Sequence, residues 1–415
     1  MTQAARGERV HIGVFGRRNA GKSSLVNALT GQRAALVSEV AGTTTDPVYQ
    51  PMELHGAGAV VFIDTAGFDD TGELGGLRVG RTKEASERAE IALVLFEDED
   101  MDALNSTDEA EDNAFFWAKQ LLASGVSVFP IVSKGDLRAE TGEGMAVKIN
   151  AHLNLPVFCV SAATGEGVEI LREALVRRIS QGEERSLLAG LVGPSDTVLL
   201  VMPQDAEAPK GRLILPQVQT IRALLDDDCV AVGCTPETMD AALAALRKPP
   251  TLIITDSQVF GEVQKKTPPE SRLTSFSVLF AAYKGDISYF TDSAERVKSL
   301  PPDARILIAE ACTHNALDAD IGRVKIPAML RKKLGDKIEI ENVGGADFPS
   351  DLSGYDLVVH CGACMFNRQY VLSRVAAARA AGVPMTNYGI LIAEMKGILD
   401  KVTIPNYRQE KEIMI

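Results

Sequence analysis

Residues 10–29 read VHIGVFGRRNAGKSSLVNAL. The apolar, β-branched run Val10 to Phe15 predicts a buried strand, and the spacing after the glycine-rich turn predicts a helix. Gly16 to Ser24 matches G-x-x-x-x-G-K-S in the strand–loop–helix setting that a phosphate-binding loop needs. Backbone N–H groups of such a loop surround phosphate oxygens at a positive helix end, Lys22 reaches the outer phosphates, and the Ser23 hydroxyl ligates Mg²⁺. The residues predicted to bind the nucleotide or its metal here are Asn19, Ala20, Gly21, Lys22, Ser23 and Ser24.

Two further motifs lie where a GTPase carries its metal-binding and switch residues. Asp64-Thr65-Ala66-Gly67 follows an apolar strand, so Asp64 can hold the magnesium shell and the Gly67 N–H can sense the terminal phosphate. The loop before that strand contains Gly42-Thr43-Thr44-Thr45-Asp46, in which Thr44 is the predicted second magnesium ligand. The predicted catalytic residues are Lys22, Ser23, Thr44, Asp64 and Gly67.

A base-reading segment follows the strand Val126 to Val132. Ser133-Lys134-Gly135-Asp136 resembles the N-K-x-D motif, in which the aspartate accepts the guanine N1 and N2 hydrogens, and Ser161-Ala162-Ala163 resembles the loop that supports it. Lys134, Asp136, Ser161 and Ala162 are the predicted base-side residues. The order and spacing of these motifs predict a small GTPase-like domain that binds GTP and Mg²⁺.

Three positions in these motifs predict how the site differs from a Ras-like one. Ser133 replaces asparagine, so we expect lost contacts to the base and to the phosphate loop. A lost hydrogen bond of about 1 kcal/mol would lower the nucleotide affinity roughly fivefold. Phe68 stands where Ras-like enzymes carry the glutamine that orients the attacking water, which predicts slow hydrolysis. Asn19 matches the asparagine of potassium-activated GTPases and is the predicted K⁺ ligand; a purely structural loop asparagine is the alternative.

Length and charge limit the remaining possibilities. A chain of 415 residues exceeds one ordinary core, and the alternating strand and helix patterns predict three α/β domains: residues 8–180, with a mostly parallel sheet, 190–264 and 265–415. The net charge of −13 argues against nucleic-acid partners, and we expect a cytoplasmic protein with no membrane segment. The acidic stretch Glu97 to Asp112 is interpreted as a solvated loop.

Cysteine and histidine cluster in the third predicted domain. Cys312-Thr313-His314 follows one predicted strand, and His360-Cys361-Gly362-Ala363-Cys364 closes another. Ligands gather at the carboxyl ends of parallel strands, so folding can bring the two motifs together. From composition alone, structural zinc, an iron–sulfur cluster, a simple thiol pair and merely buried cysteines all remain open.

The union of these motifs resembles the HydF family, the GTPases that mature FeFe-hydrogenases. The resemblance implies a middle domain that dimerises and a third, α/β iron–sulfur domain that binds a 4Fe–4S cluster through Cys312, Cys361 and Cys364. His314 and His360 are possible fourth ligands or tuning groups. The family further implies a scaffold that carries the di-iron precursor of the hydrogenase site, works with two radical-SAM maturases, delivers to apo FeFe-hydrogenase, and forms a homodimer or higher homo-oligomer.

Two other functions fit parts of the sequence. One is a translation- or tRNA-associated GTPase with a zinc-stabilised C-terminal domain, which the acidic charge disfavours. The other is a metallochaperone GTPase for a different metalloenzyme, which would share both predicted sites.

Overall fold

The structure, a computed structural model, describes residues 9–31, 48–65, 67–68, 75–102, 113–137, 142–181, 185–204, 213–311 and 321–405. The chain divides into two compact units, residues 1–183 and 184–415. Across the described ranges, no helix is both long enough and apolar enough to cross a membrane.

The first unit is built on one six-stranded sheet. Its elements are β1 (Val10–Phe15), α1 (Lys22–Thr30), β2 (Val48–Leu54), β3 (Gly58–Asp64), α2 (Gly75–Arg88), β4 (Ile91–Phe96), α3 (Asp98–Asp102), α4 (Ala114–Ala123), β5 (Ser127–Val132), a 3₁₀ turn (Gly135–Leu137), α5 (Gly142–Leu153), β6 (Phe158–Cys159) and α6 (Val168–Ser180). The strand order is β2-β3-β1-β4-β5-β6, and only the β2–β3 pair is antiparallel. All six residues of β4 are buried, as expected for a strand inside a sheet covered on both faces. This confirms the predicted mostly parallel GTPase sheet.

The sequence pattern does not predict strand β2. Its sequence, VYQPMEL, includes Pro51 and charged Glu53, which weaken the alternating apolar signal. Proline is tolerated because β2 is the edge strand of the sheet.

The second unit contains two four-stranded parallel sheets. Its elements are β7 (Thr197–Val201), α7 (Leu215–Asp226), β8 (Val230–Cys234), α8 (Met239–Ala245), β9 (Leu252–Thr255), α9 (Phe260–Lys266), β10 (Arg272–Ser275), α10 (Phe276–Lys284), α11 (Ile287–Glu295), a 3₁₀ turn (Arg296–Ser299), β11 (Arg305–Glu310), a π-helical turn (Ile321–Lys325), α12 (Ile326–Leu334), β12 (Glu339–Gly344), a 3₁₀ turn (Gly345–Asp347), β13 (Leu357–His360), α13 (Arg368–Ala380), β14 (Met385–Asn387), α14 (Tyr388–Met395) and a 3₁₀ turn (Leu399–Lys401). The strand orders are β10-β9-β7-β8 and β12-β11-β13-β14. One apolar core includes Leu199 and Ile253 of the first sheet and Leu307 and Val358 of the second, so the two sheets share buried surface.

The first of these sheets extends beyond the predicted limit of the middle domain. Strand β10 pairs in parallel with β9, although it lies after residue 264, the predicted end of that domain. Its four residues, RLTS, give no apolar run, and only pairing with the buried β9 makes them a strand. Helix α10 follows directly, with the Ser275 side chain accepting the Val278 N–H as its N-cap.

Candidate functional site

The phosphate loop runs between β1 and α1 as the sequence predicts. Lys22 Nζ donates to the carbonyl oxygens of Gly16 and Arg17 at 2.9 and 2.8 Å, which places the ammonium over the loop. Asn19 has φ 62° and Gly21 has φ 92°, both in the left-handed region. Asparagine enters that region more readily than other residues with a side chain, so the loop geometry gives Asn19 a conformational role of its own.

The two described magnesium-site residues are already joined. Ser23 Oγ donates to Asp64 Oδ2 at 2.9 Å. Burial raises the pKa of Asp64, while the hydrogen bond from Ser23 and the positive charge of Lys22 oppose that rise. A hydroxyl and a carboxylate at this spacing are hard oxygen donors of the kind Mg²⁺ prefers, so these residues fit the metal. Thr44 lies outside the described residues, whereas Gly67 is described and buried at the end of the motif.

Ser133 retains its contact to the phosphate loop, which corrects half of the expectation. Its hydroxyl is buried and donates to the Ala20 carbonyl oxygen at 2.8 Å. The shorter side chain still reaches the loop because residue 133 directly follows β5 and lies close to the residues just before α1. The expected loss of a contact to the base stays a prediction.

The other base-side residues are held by carboxylate and hydroxyl groups. Asp136 Oδ1 accepts the Ser161 hydroxyl at 2.7 Å, and Ser161 is fully buried, so the carboxylate is fixed from behind. Lys134 has φ 59° and its Nζ lies 2.7 Å from Glu97 Oε1. Ala162 follows Ser161 and is half-buried. The structure therefore brings the described base-reading residues into one supported loop pair.

Glu97 and Asp100, in the acidic stretch, are structural parts of this site, which contradicts the solvated-loop interpretation for this segment. Asp100 is fully buried and accepts hydrogen bonds from the Glu97 N–H at 2.9 Å, the Ala114 N–H at 3.1 Å and Arg17 Nε at 3.1 Å. Burial raises its pKa, and these hydrogen bonds and the Arg17 charge oppose the rise. Asp100 thus ties the phosphate loop to the end of β4. The remainder of the stretch, 103–112, lies outside the described residues.

Sequence reasoning missed Glu97 and Asp100 because charge runs are usually solvated. One signal was available: Glu97 directly follows a fully apolar strand, β4, and the carboxyl ends of central parallel strands point at ligand sites. A carboxylate at that position is therefore better placed than its neighbours to serve the site.

Phe68 packs into the apolar core of the first unit. Its side chain is 2% exposed, and the Arg17 guanidinium lies 6.0 Å from the centre of its ring. The position therefore holds a buried aromatic ring in place of a polar group that could orient water.

The cysteine loop, which we define as residues 361–366, runs between β13 and α13 in the second unit. Cys361 Sγ accepts the N–H groups of Ala311 at 3.1 Å and of Ala363 at 3.4 Å. Two converging N–H donors suit a thiolate sulfur, and Ala311 is the residue just before Cys312. Cys312 and His314 themselves lie outside the described residues. Within the described ranges, no three His, Cys, Asp or Glu side chains form a set that could hold a metal ion.

His360 is a support of this loop in the described structure. Its Nδ1 lies 2.7 Å from the Cys361 carbonyl oxygen and its Nε2 lies 3.0 Å from Nη1 of Arg374, so both ring nitrogens are engaged. Desolvation and the Arg374 charge lower the pKa of His360 to about 3, so the ring is neutral, with Nδ1 donating and Nε2 accepting. As placed, the ring offers no nitrogen to a metal, in contrast to its predicted possible role as a ligand.

The remaining described cysteines differ in environment. Cys229 is buried and Cys234 is half-buried, whereas Cys159 in β6 is exposed.

Two family models match the second unit. The hydrogen maturase F dimerization domain matches residues 187–285, and the hydrogen maturase F tetramerization domain matches residues 288–405. Together they cover more than half of the chain. The chain belongs to the hydrogen maturase F family. Its first unit carries the GTPase domain, because a model described as 50S ribosome-binding GTPase matches residues 11–121. These domains support homo-oligomerisation of this hydrogen maturase F chain.

Curated GTPases are similar to less than half of the chain. GTPase Der of Wolinella succinogenes is 33% identical over 175 residues, covering 40% of this chain and 35% of Der. The tRNA modification GTPase MnmE of Ralstonia nicotianae is 35% identical over 183 residues, covering 42% and 37%. This hydrogen maturase F chain thus spans about a third of the length of these relatives.

Solved structures resemble the chain only weakly. The cytosolic domain of the T. maritima FeoB iron transporter in its apo form has 22% identity and a TM-score of 0.31, covering 43% of this chain and 67% of that one. Era from Aquifex aeolicus bound to GDP·AlF4⁻ has 18% identity and a TM-score of 0.34, covering 56% and 97%. These low scores support no functional comparison.

Proposed function

We propose that this protein is a GTP-hydrolysing maturation factor for FeFe-hydrogenase. In this proposal it carries the di-iron precursor on or near a 4Fe–4S cluster, receives it with the help of two radical-SAM maturases, and delivers it to apo-hydrogenase in the cytoplasm. The observation that carries the proposal is the pair of hydrogen maturase F domains, 187–285 and 288–405, on one chain with a GTPase domain.

The nucleotide site is proposed to cleave GTP to GDP and phosphate with Mg²⁺. Mg²⁺ would be held by Ser23 and Thr44, with Asp64 orienting its shell, and it would neutralise charge on the transferred phosphoryl group. Lys22 would exchange its two carbonyl partners for the outer phosphates, and Gly67 would report the terminal phosphate through its N–H. We infer that nucleotide state changes the loops near Thr44 and Phe68 and thereby partner contacts.

Turnover is proposed to be slow and potassium-stimulated. Slow turnover is supported by the burial of Phe68, which leaves that position without a water-orienting amide. Potassium dependence is supported by Asn19, which stands at the exposed apex of the phosphate loop. The test is GTP hydrolysis in matched potassium and sodium chloride. Faster turnover in potassium that disappears in Asn19→Ala is expected, and equal rates in both salts would overturn the potassium site.

The cysteine site is proposed to hold a 4Fe–4S cluster through Cys312, Cys361 and Cys364, with one iron left for an exchangeable ligand. The cluster would supply an open iron position at which the precursor can be held and released. The described residues fit such a group because N–H donors already converge on Cys361 Sγ, as they do on metal-bound thiolates.

Anaerobic reconstitution with iron and sulfide, followed by electron paramagnetic resonance of the reduced protein, tests the cluster. A signal of a reduced 4Fe–4S centre, lost in Cys361→Ala, is expected. Stoichiometric tight zinc and no such signal would instead favour the zinc-stabilised alternative. Transfer of label from iron-loaded protein to apo-hydrogenase then tests the carrier role.

A homodimer is proposed to form through the dimerization domain. Within the described residues, β8 pairs only with β7 and forms one edge of its sheet. Val230 in β8 is 52% exposed, and Leu225 and Val218 in the adjacent α7 are 58% and 47% exposed, an apolar surface at an unpaired edge. Val230→Lys should shift the protein toward monomer in light scattering, whereas Val147→Lys, an exposed valine of the GTPase domain, should not. An unchanged mass for Val230→Lys would contradict this interface.

A further inference from the structure

The ammonium of Lys284 lies against the cysteine loop. Lys284 is the last residue of α10, at the end of the dimerization domain, and the cysteine loop belongs to the tetramerization domain. Its Nζ donates to the carbonyl oxygens of Ala363 at 2.9 Å, Cys364 at 3.0 Å and Phe366 at 2.7 Å. One cation from one domain thus binds three carbonyl oxygens within four residues of one loop in the other.

This ammonium is almost completely removed from water. Lys284 is only 4% exposed, and Nζ also lies 5.5 Å from the centre of the Phe280 ring. A buried charge is costly unless its donors are satisfied, and an ammonium has three donors. The three loop carbonyls match that number, so the loop conformation and the buried charge stabilise each other.

The backbone that Lys284 holds is one that the loop would not adopt readily alone. Ala363 has φ 46°, in the left-handed region, which costs an alanine about 1 kcal/mol or more. That conformation turns the Ala363 N–H toward Cys361 Sγ at 3.4 Å while its carbonyl faces Lys284. The contact therefore fixes the relative placement of the two cysteines of the C-x-x-C motif.

We propose that Lys284 is a positioning residue for the cysteine loop, through which the dimerization domain sets the backbone that presents Cys361 and Cys364. The proposal rests on the cluster site proposed above for its functional meaning. The three hydrogen bonds from Lys284 to the cysteine loop, in contrast, are contacts of the metal-free protein. A fixed positive charge beside the loop also favours the more negative state of any group that the cysteines bind.

The first test uses the metal-free protein. Lys284→Met keeps most of the side-chain volume but removes the donors, Lys284→Arg keeps the charge and donors, and Lys332→Met is the control at an exposed lysine of the same unit. Amide hydrogen exchange in 361–366 and thiol labelling of Cys361 and Cys364, read by peptide mass spectrometry, should each accelerate about tenfold or more in Lys284→Met, because charge-assisted hydrogen bonds are lost. Lys284→Arg should recover most of the protection, and Lys332→Met should match wild type.

The outcomes separate this proposal from the proposed function. If a folded Lys284→Met protein shows wild-type rates of amide exchange and thiol labelling, the positioning role of Lys284 is wrong, whether or not a cluster forms. If Lys284→Met does not fold, Lys284→Gln replaces it, with the same expected and contrary results. After reconstitution with iron and sulfide, Lys284→Met should show a more negative midpoint potential than wild type and Lys332→Met. Failure of wild type to assemble any cluster would count against the proposed function and leave the metal-free result standing.

Discussion

The phosphate loop and the cysteine loop share the same local construction but differ in where their lysine comes from. Each follows a buried parallel strand, precedes a helix, contains a non-glycine residue in the left-handed region, and has its carbonyl oxygens bound by a lysine ammonium. Lys22 belongs to its own loop, bonds carbonyls five and six residues away, and is only half-buried. Lys284 comes from 79 to 82 residues away and is buried.

The difference in burial decides whether each lysine ammonium can exchange its carbonyl partners for a ligand. A half-buried ammonium can leave carbonyl partners for phosphate oxygens, because water and substrate reach it. A buried ammonium with three satisfied donors cannot leave without exposing a charge to an apolar interior. The same contact, a lysine ammonium bound to loop carbonyl oxygens, therefore allows ligand binding in the phosphate loop and fixes the backbone in the cysteine loop.

The largest expected effect concerns Lys22. Lys22→Ala should lower GTP hydrolysis by about 100-fold or more, since a charge that stabilises the transferred phosphoryl group is lost. Hydrogen exchange in the cysteine loop should not change. Lys148→Ala, an exposed lysine of the same unit, is the control for turnover. Loss of amide protection in the cysteine loop of Lys22→Ala would show that the phosphate loop and the cysteine loop are coupled.

The converse change is in the second unit. Cys361→Ala should abolish cluster assembly, read by iron content and paramagnetic resonance, and leave GTP turnover within about twofold of wild type, because separate units carry the two sites. Cys159→Ala, at the exposed cysteine, should retain the cluster. A cluster of normal stoichiometry in Cys361→Ala would remove this residue from the ligand set.

The phosphate loop has a long-range support of its own in Asp100. Asp100→Asn should lower the free energy of unfolding of the first unit by about 1 to 3 kcal/mol, because Arg17 loses its carboxylate partner and the amide cannot accept all three donors. Urea denaturation measures the change, and Asp102→Asn, exposed in the same helix, should be near neutral. Equal stability of the two variants would mean that the phosphate loop is self-supporting.

Among the described residues, each unit buries a neutral histidine. Burial lowers the pKa of His11 to about 4 and that of His360 to about 3, whereas an unfolded histidine titrates near 6.5. Below about pH 6.5 the unfolded chain binds the extra proton, so stability is fully present above that pH and falls as the pH drops toward 4 and 3. The expected slope is at most about 1.4 kcal/mol per pH unit for each histidine. Urea midpoints of the metal-free protein from pH 7 to 4.5 measure it, and His11→Gln should flatten the first unit's transition only.

The smallest expected effect belongs to Ser133. Ser133→Ala removes the hydrogen bond to the Ala20 carbonyl and should weaken GDP and GTP binding about fivefold, a change of about 1 kcal/mol. Ser180→Ala, exposed at the end of α6, should bind nucleotide as wild type does. Unchanged affinity in calorimetry would show that the two loops are held together by other contacts.

The sequence by itself determined the phosphate loop, the order of the GTPase motifs and the alternating strand and helix pattern of the α/β domains. These are local features: a lysine six residues from its carbonyl, a serine after it, and apolar runs long enough to be strands. The predicted cysteine pattern is local too, and with the GTPase motifs it indicated the family that the domain matches confirm.

Only the tertiary structure decided the roles of residues whose partners are distant in the chain. In the sequence Asp100 is one charge in an acidic run, and only the fold places it beside Arg17. In the sequence Ser133 is a departure that weakens a motif, and only the fold shows that its hydroxyl contacts the Ala20 carbonyl. Lys284 reads as an ordinary helix-ending lysine until α10 carries it to the cysteine loop. Short-range patterns can be read from spacing, whereas burial and long-range hydrogen bonds depend on which elements pack together, and that packing is a property of the whole fold.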